Sequence, residues 1–230
     1  MKIFLDTEFT GLHKETSLIS IGLVDENGEE FYAELTDYDK NQIDYWLQEN
    51  VMANLWYESN KVDFINPPNY YRGDKEYIAL KLKKWLAKYE TVEWVSDVPH
   101  YDFILLIDLL YGKAINIPYL THGASIHDIN QDIAKHYNIS ELEAFDLSRE
   151  EILAKHNIEI DGLKHNAIYD AKVIKAIYGI VNRPIFTVGV EIKDIDEMRA
   201  IFDILKDDRV PKSVVDEYLT KIEEVVSKRI

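Results

Sequence analysis

The chain has no cysteine. That excludes disulfides, thiolate metal sites and thiol nucleophiles, and it suits a reducing cytoplasm, where the protein is expected to reside. No apolar run approaches the roughly 20 residues of a membrane span, so no membrane partner is expected. Residues 1–5 are too few for the apolar region of a secretory leader, and Asp6 interrupts them, so no leader is expected either. Positive charge is scarce: 26 Lys and Arg face 42 Asp and Glu, for a net charge of −16. Long duplex DNA, held by phosphate neutralisation, is a poor partner for such a chain. An enzyme that grips a few nucleotides through metal ions, backbone amides and stacking remains open. The charge therefore restricts substrate size more than substrate chemistry.

What is present fits one domain of ordinary size with a small appendage. Hydrophobic residues make up 47% of 230, enough for a sizeable core. Strands are expected at Lys2–Phe9, Leu18–Asp25 and Glu30–Leu35, the last two joined by the turn Asp25-Glu26-Asn27-Gly28, an antiparallel meander. Apolar spacing predicts a helix from about Asn41 to Leu55 and another over Lys75–Tyr89, capped by Asp74. Residues 59–73, with Pro67-Pro68-Asn69, read as loop. A strand at Thr91–Ser96, a helix at Asp102–Tyr111, short helices over 125–156 and a strong helix at Ala167–Val181 complete the order. Residues 1–182 are thus expected to form an α/β domain. Residues 183–230 are expected to form a C-terminal extension, a strand at Ile185–Ile192 and two helices, whose alternating charged and apolar positions suit packing on the domain or on a second subunit of a homodimer.

Chemistry is concentrated in three short stretches. In Asp6-Thr7-Glu8 the two carboxylates are one residue apart, and a strand turns both to one face. They repel each other unless a cation sits between them. Tyr101-Asp102 opens a predicted helix, and His165-Asn166-Ala167-Ile168-Tyr169-Asp170-Ala171 sets a histidine five residues before another acid. Five residues of α-helix turn about 500°, so the two side chains would diverge by roughly 140° on one continuous helix. If the helix starts near Asn166, after the breaker Gly162, His165 lies in the entering loop and can face Asp170. Phosphodiester hydrolysis needs a nucleophile from water, a charge sink and a stabilised leaving group, which two Mg²⁺ or Mn²⁺ ions about 4 Å apart can supply. Hard cations take carboxylate oxygens, and neutral imidazole suits a general base near pH 7. Asp6, Glu8, Asp102 and Asp170 are read as metal ligands and His165 as the base.

These motifs resemble the DEDDh 3′–5′ exonucleases of RNase H-like fold, which include RNase T, oligoribonuclease and proofreading subunits. Asp6–Leu12 is similar to D-x-E-[TF]-x-G-L, and His165–Ala171 to H-x-A-x-x-D-A; the sister class has tyrosine where Asn166 stands. Asp6–Phe9, Ile19-Ser20-Ile21-Gly22 and Glu93-Trp94-Val95 resemble a branch of small bacterial and phage exoribonucleases. The resemblance implies a mixed five-stranded sheet flanked by helices. It implies hydrolysis of single-stranded RNA or DNA 3′ ends to 5′-mononucleotides, with RNA favoured by the branch. It also implies contact of Thr10 N–H with the terminal 3′ end. Phe9 is the candidate to stack on the terminal base. In one departure, many relatives carry Asn four residues before the second-motif Asp, where Val98 stands here.

Other residues read as structural. Asp97 and Asp108 lack the aromatic-Asp setting, Asp128 looks like a helix cap, and Trp46, Trp56, Trp85 and Trp94 look like core. His13, His122, His127 and His136 have no metal-ligand spacing. Two further functions share these features: a DNA-directed proofreading nuclease, and a binding module that kept the fold and lost catalysis.

Overall fold

The opening run forms β1 (Lys2–Phe9) in a computed structural model that describes residues 1–59, 67–113, 116, 125–182 and the isolated positions 212, 215 and 220. β1 alternates as its pattern requires. Ile3 and Leu5 pack into one hydrophobic cluster and Phe4 into another, on the opposite face of the sheet. β2 (Leu18–Asp25) is buried at all eight positions, as expected for a strand covered on both faces. β3 (Glu30–Leu35) follows through the Asn27-Gly28 turn, where Gly28 takes a positive φ of 90° and donates its N–H to the Asp25 carbonyl at 3.1 Å. β1–β2 and β2–β3 pair antiparallel, so the expected meander is present.

The sheet has six strands, not five, in the order β4-β3-β2-β1-β5-β6. β4 (Tyr70–Gly73) pairs parallel to β3 inside the stretch read as loop. Its four residues are too short to show a period, and the preceding prolines hid it. β5 (Glu93–Ser96) runs parallel to β1, and β6 (Ile126–Asp128) parallel to β5. β6 has three residues, and its last, Asp128, caps the next helix through Asn130 N–H at 2.9 Å, as expected.

The long helix predicted over 41–55 is broken. A 3₁₀ turn covers Lys40–Gln42. α1 (Tyr45–Asn50) then restarts under an Asp44 cap, a second 3₁₀ turn follows at Met52–Asn54, and α2 (Trp56–Ser59) is a single turn. The Asp39 and Asp44 side chains, which accept Asn41 N–H and Leu47 N–H, offer the backbone an alternative partner and set where the first two pieces begin. α3 (Lys75–Leu86) is capped by Asp74 as predicted and packs with α4 (Pro99–Leu110) on the Ile3/Leu5 face. α4 starts three residues earlier than expected, with Pro99 at its first position, where a missing N–H costs nothing. α5 (Ile129–Tyr137), α6 (Glu141–Asp146), α7 (Arg149–Lys155) and α8 (Ala167–Val181) supply the cluster on the Phe4 face. The strand and helices expected after residue 183 lie outside the described residues.

α8 buries Val173, Ile174, Ile177 and Ile180 there. At roughly 1.5–3 kcal/mol per side chain as an upper bound, these four supply enough to hold a costly carboxylate, Asp170, in the helix's first turn. Its approach depends on Gly22, which pairs with Asp6 across β1–β2. A Cβ at Gly22 would lie 2.2 Å from the Ala167 backbone carbon and oxygen. Gly22→Ala therefore forces α8 off the sheet. The variant is expected to lose about 1–3 kcal/mol or more, read as a lower melting temperature, together with activity as Asp170 is displaced.

Candidate active site

Asp6 and Glu8 leave β1 on the face that α8 crosses, and Asp170 reaches the same place from α8. One oxygen from each of these three lies within 4.8 Å of the others. A second trio, Asp6, Asp97 and Asp102, meets the same limit. Asp6 belongs to both. The four acids expected from the sequence are therefore brought together, and a fifth joins them. Asp97 was passed over because it has no aromatic neighbour. The signal was its position, just past the carboxyl end of β5, where the parallel register with β1 brings it level with Asp6.

Asp102 is not a helix cap. It is the fourth residue of α4, and Val98 occupies the cap position without a side-chain bond. Asp102 Oδ1 accepts the Thr7 N–H at 3.1 Å and the Thr7 hydroxyl at 2.6 Å, and Oδ2 accepts the Ser96 hydroxyl. Thr7, which lies between the two acids of β1 and turns the other way, thus ties α4 to the strand.

Burial is the main cause of the site's electrostatics. It lifts Asp6 and Glu8 well above the usual carboxylate range; the charges of Asp102 and Asp170 raise them further. Asp102 is pushed up to about 7 by burial, against the lowering effect of Ser96 and Thr7. Asp170 also reaches about 7, through burial and then the charge of Asp97, although the His165 backbone N–H bonds it. Asp6 Oδ2 is buried and has no hydrogen-bond partner among the described residues. A buried acceptor left so costs about 1–3 kcal/mol, more when charged. Several clustered carboxylates, one with an orphaned oxygen, fit a hard divalent cation, which would meet every one of these deficits.

His165 lies in the loop entering α8, half-buried, with φ of 59°. Such a backbone is uncommon outside glycine and must be held by its surroundings. Asn166 Nδ2 donates to the Asn54 carbonyl at 2.7 Å, Asn54 Nδ2 donates to the Lys164 carbonyl at 2.9 Å, and Asn166 Oδ1 accepts the Ile168 N–H at 3.2 Å. Burial, then the charge of Lys164, depresses the His165 pKa, so its ring is neutral at pH 7. Among the described residues no histidine belongs to either acid trio.

Trp46, expected in the core, is 51% exposed and meets the His165 ring edge-on at 5.2 Å. Tyr45 and Trp46 are consecutive on a short helix whose buried residue is Leu47, so neither can reach the core. Phe9 stacks on Tyr101, centroids 5.1 Å apart and planes 13° from parallel, so the aromatic of the second motif braces that of the first. Thr10 N–H is bound to the Ser17 carbonyl at 3.0 Å, and its hydroxyl is engaged by Ser17 N–H and Gln42. These bonds hold the 10–17 loop.

A family model for the Rv2179c-like 3′-5′ exoribonuclease domain matches residues 1–181. The curated 3′-5′ exoribonuclease Rv2179c of Mycobacterium tuberculosis is 30% identical over 120 residues, 51% of this chain. That alignment spans 66% of the relative, just under two thirds of its length. Among solved structures, Schizosaccharomyces pombe Pop2p in its Mg²⁺- and Mn²⁺-bound form superposes with a TM-score of 0.53 at 16% identity, covering 83% of this chain and 86% of that one. A 3′-exonuclease described for 3′-end-specific recognition of a histone mRNA stem-loop gives 0.53 at 13% identity, covering 76% and 78%. At such identities the likeness is one of fold.

Proposed function

The chain belongs to the Rv2179c-like 3′-5′ exoribonuclease domain family, and on that premise we propose that it hydrolyses single-stranded RNA 3′ ends or overhangs to 5′-mononucleotides, using two divalent cations, Mg²⁺ or Mn²⁺. The observation that carries this reading is the pair of acid trios sharing Asp6, whose buried oxygen lacks a donor among the described residues. Two cations of unlike ligand set fit two trios joined at one carboxylate. Bound there, they would supply a charge sink for the transition state and activation of water near neutral pH.

The chain's own residues do the rest. Asp6, Glu8, Asp102 and Asp170 hold the cations. Neutral His165 takes the proton of the attacking water, and the two asparagines keep its loop in the required conformation. Exposed Trp46 and the Phe9–Tyr101 pair offer aromatic surface for the terminal bases, worth about 1–3 kcal/mol per stacked base. A net charge of −16 leaves recognition to these short-range contacts.

The test is incubation with Mn²⁺ or Mg²⁺ and matched 5′-labelled RNA and DNA oligonucleotides. The expected result is stepwise shortening from the 3′ end, faster on RNA. Faster cleavage of DNA would move the reading to a DNA exonuclease. Cation binding without cleavage of either would make the chain a binding module. Under the same conditions His165→Ala is expected to lower turnover by about 10²–10⁴-fold and leave cation affinity unchanged. Loss of cation binding in that variant would make His165 a ligand instead.

A further inference from the structure

The second trio raises a difficulty that the four-acid set does not resolve. Asp102 is its deepest member, 1% exposed, and three hydrogen bonds already occupy its oxygens. A carboxylate has about four acceptor directions, so at most one, on Oδ2, is left for a cation. Asp6 would then face the second cation almost alone.

Asp97 stands in the same trio and is differently bound. Among the described residues its carboxylate is met by Arg149 Nε, 3.4 Å from Oδ2, and by its own backbone N–H. A well-made arginine–carboxylate pair is bidentate at about 2.7–2.9 Å, so this one is far from complete. Three of the other four donors of Arg149 are engaged elsewhere: Nη1 on the Ala144 and Leu147 carbonyls at 2.9 and 3.0 Å, and one Nη2–H on Asn130 Oδ1 at 2.5 Å. Asn130 in turn holds the Asp97 main chain, its Nδ2 donating to the Asp97 carbonyl at 2.8 Å. The guanidinium is thereby anchored to the α6–α7 corner as well as to Asp97. Burial accordingly keeps the Asp97 pKa up despite its partner.

We propose that Asp97 supplies the carboxylate that faces the second cation beside Asp6, and that Arg149 is the positioning residue that fixes it there. The ion pair is what makes a fifth acid tolerable. Five carboxylates and one guanidinium leave four negative charges, which two divalent cations neutralise. The inference rests on the metal-dependent reading above and adds the ligand set of one of its two sites.

The test is Mn²⁺ titration of the full chain, read by the signal of free Mn²⁺ and by calorimetry, on wild type, Asp97→Asn, Arg149→Lys and Arg149→Met. Melting temperatures in chelator serve as the folding control. Asp97→Asn is expected to weaken one of two Mn²⁺ sites by about 10–100-fold without lowering the metal-free melting temperature. Arg149→Lys, which keeps the charge but loses the fork, is expected to weaken the same site less. Combining Asp97→Asn with Arg149→Met should cost no more affinity than Asp97→Asn alone. Unchanged Mn²⁺ affinity in Asp97→Asn would reduce the pair to an ordinary buried ion pair and overturn the inference, leaving the exonuclease reading in place. Failure of the wild type to bind Mn²⁺ would overturn both.

Discussion

Asp6→Ala is expected to abolish exonuclease turnover, by at least about 10³-fold, and to remove both cation-binding events together. Losing an outer-sphere partner of a metal typically costs about 10–100-fold. Asp6 differs because it alone belongs to both acid trios, so its removal empties two ligand sets at once. Calorimetric titration separates this from the other acids: Asp170→Asn should weaken one event, Asp6→Ala both. One surviving event of wild-type affinity in Asp6→Ala would show that the trios do not share their ligand. The variant is expected to fold, since it deletes a buried like charge rather than an apolar contact.

The second large effect is a stability that depends jointly on pH and metal. Burial and mutual repulsion raise Asp6, Glu8, Asp102 and Asp170 above their unfolded values, the last two to about 7. Each group therefore binds its proton more tightly in the folded chain. For Asp102 and Asp170 the resulting stability is fully present below about pH 4 and is lost as pH rises to about 7; Asp6 and Glu8 add to the loss in the same direction. In chelator, the melting temperature should carry a downward contribution over that window. Divalent cation should reverse it at pH 7.5. At 100 times its dissociation constant, one bound ion adds about 2.7 kcal/mol, or roughly 5–11 °C for a domain of this size. Asp6→Asn should lose most of the cation's effect while melting higher than wild type in chelator. A melting curve at pH 7.5 that ignores both chelator and millimolar Mn²⁺ would sink the metal reading.

Much of this was legible in the sequence because local and global signals agreed. The meander announced itself through alternation and Asn27-Gly28, and α8 through its apolar spacing and the break at Gly162. The helix-rotation argument placed His165 in a loop, and its left-handed φ shows a backbone that no continuous helix could give. What escaped was of two kinds. β4 and β6 are too short for a period, and their existence depends on parallel partners, β3 and β5, distant in sequence. Asp97 and Trp46 owe their roles to tertiary neighbours. One is an ordinary acid at a strand end, the other an ordinary aromatic in an apolar-looking segment. Thr10, expected at the substrate end only by resemblance, has its N–H on the Ser17 carbonyl, a partner that the hairpin brings and the sequence did not show.

The anchoring of α8 and of the loop before it differs in kind. Asp170 rides on a helix seated in the core through four branched side chains, whereas His165 is kept in place by amide bonds between Asn166, Lys164 and Asn54. Local opening of a few exposed or half-exposed hydrogen bonds demands far less free energy than global unfolding. If His165 is the base proposed above, warming should therefore free it while the carboxylates are still assembled, and activity would be lost before any bound cation is. Heat inactivation would then be reversible on cooling well below the temperature at which the fold is lost.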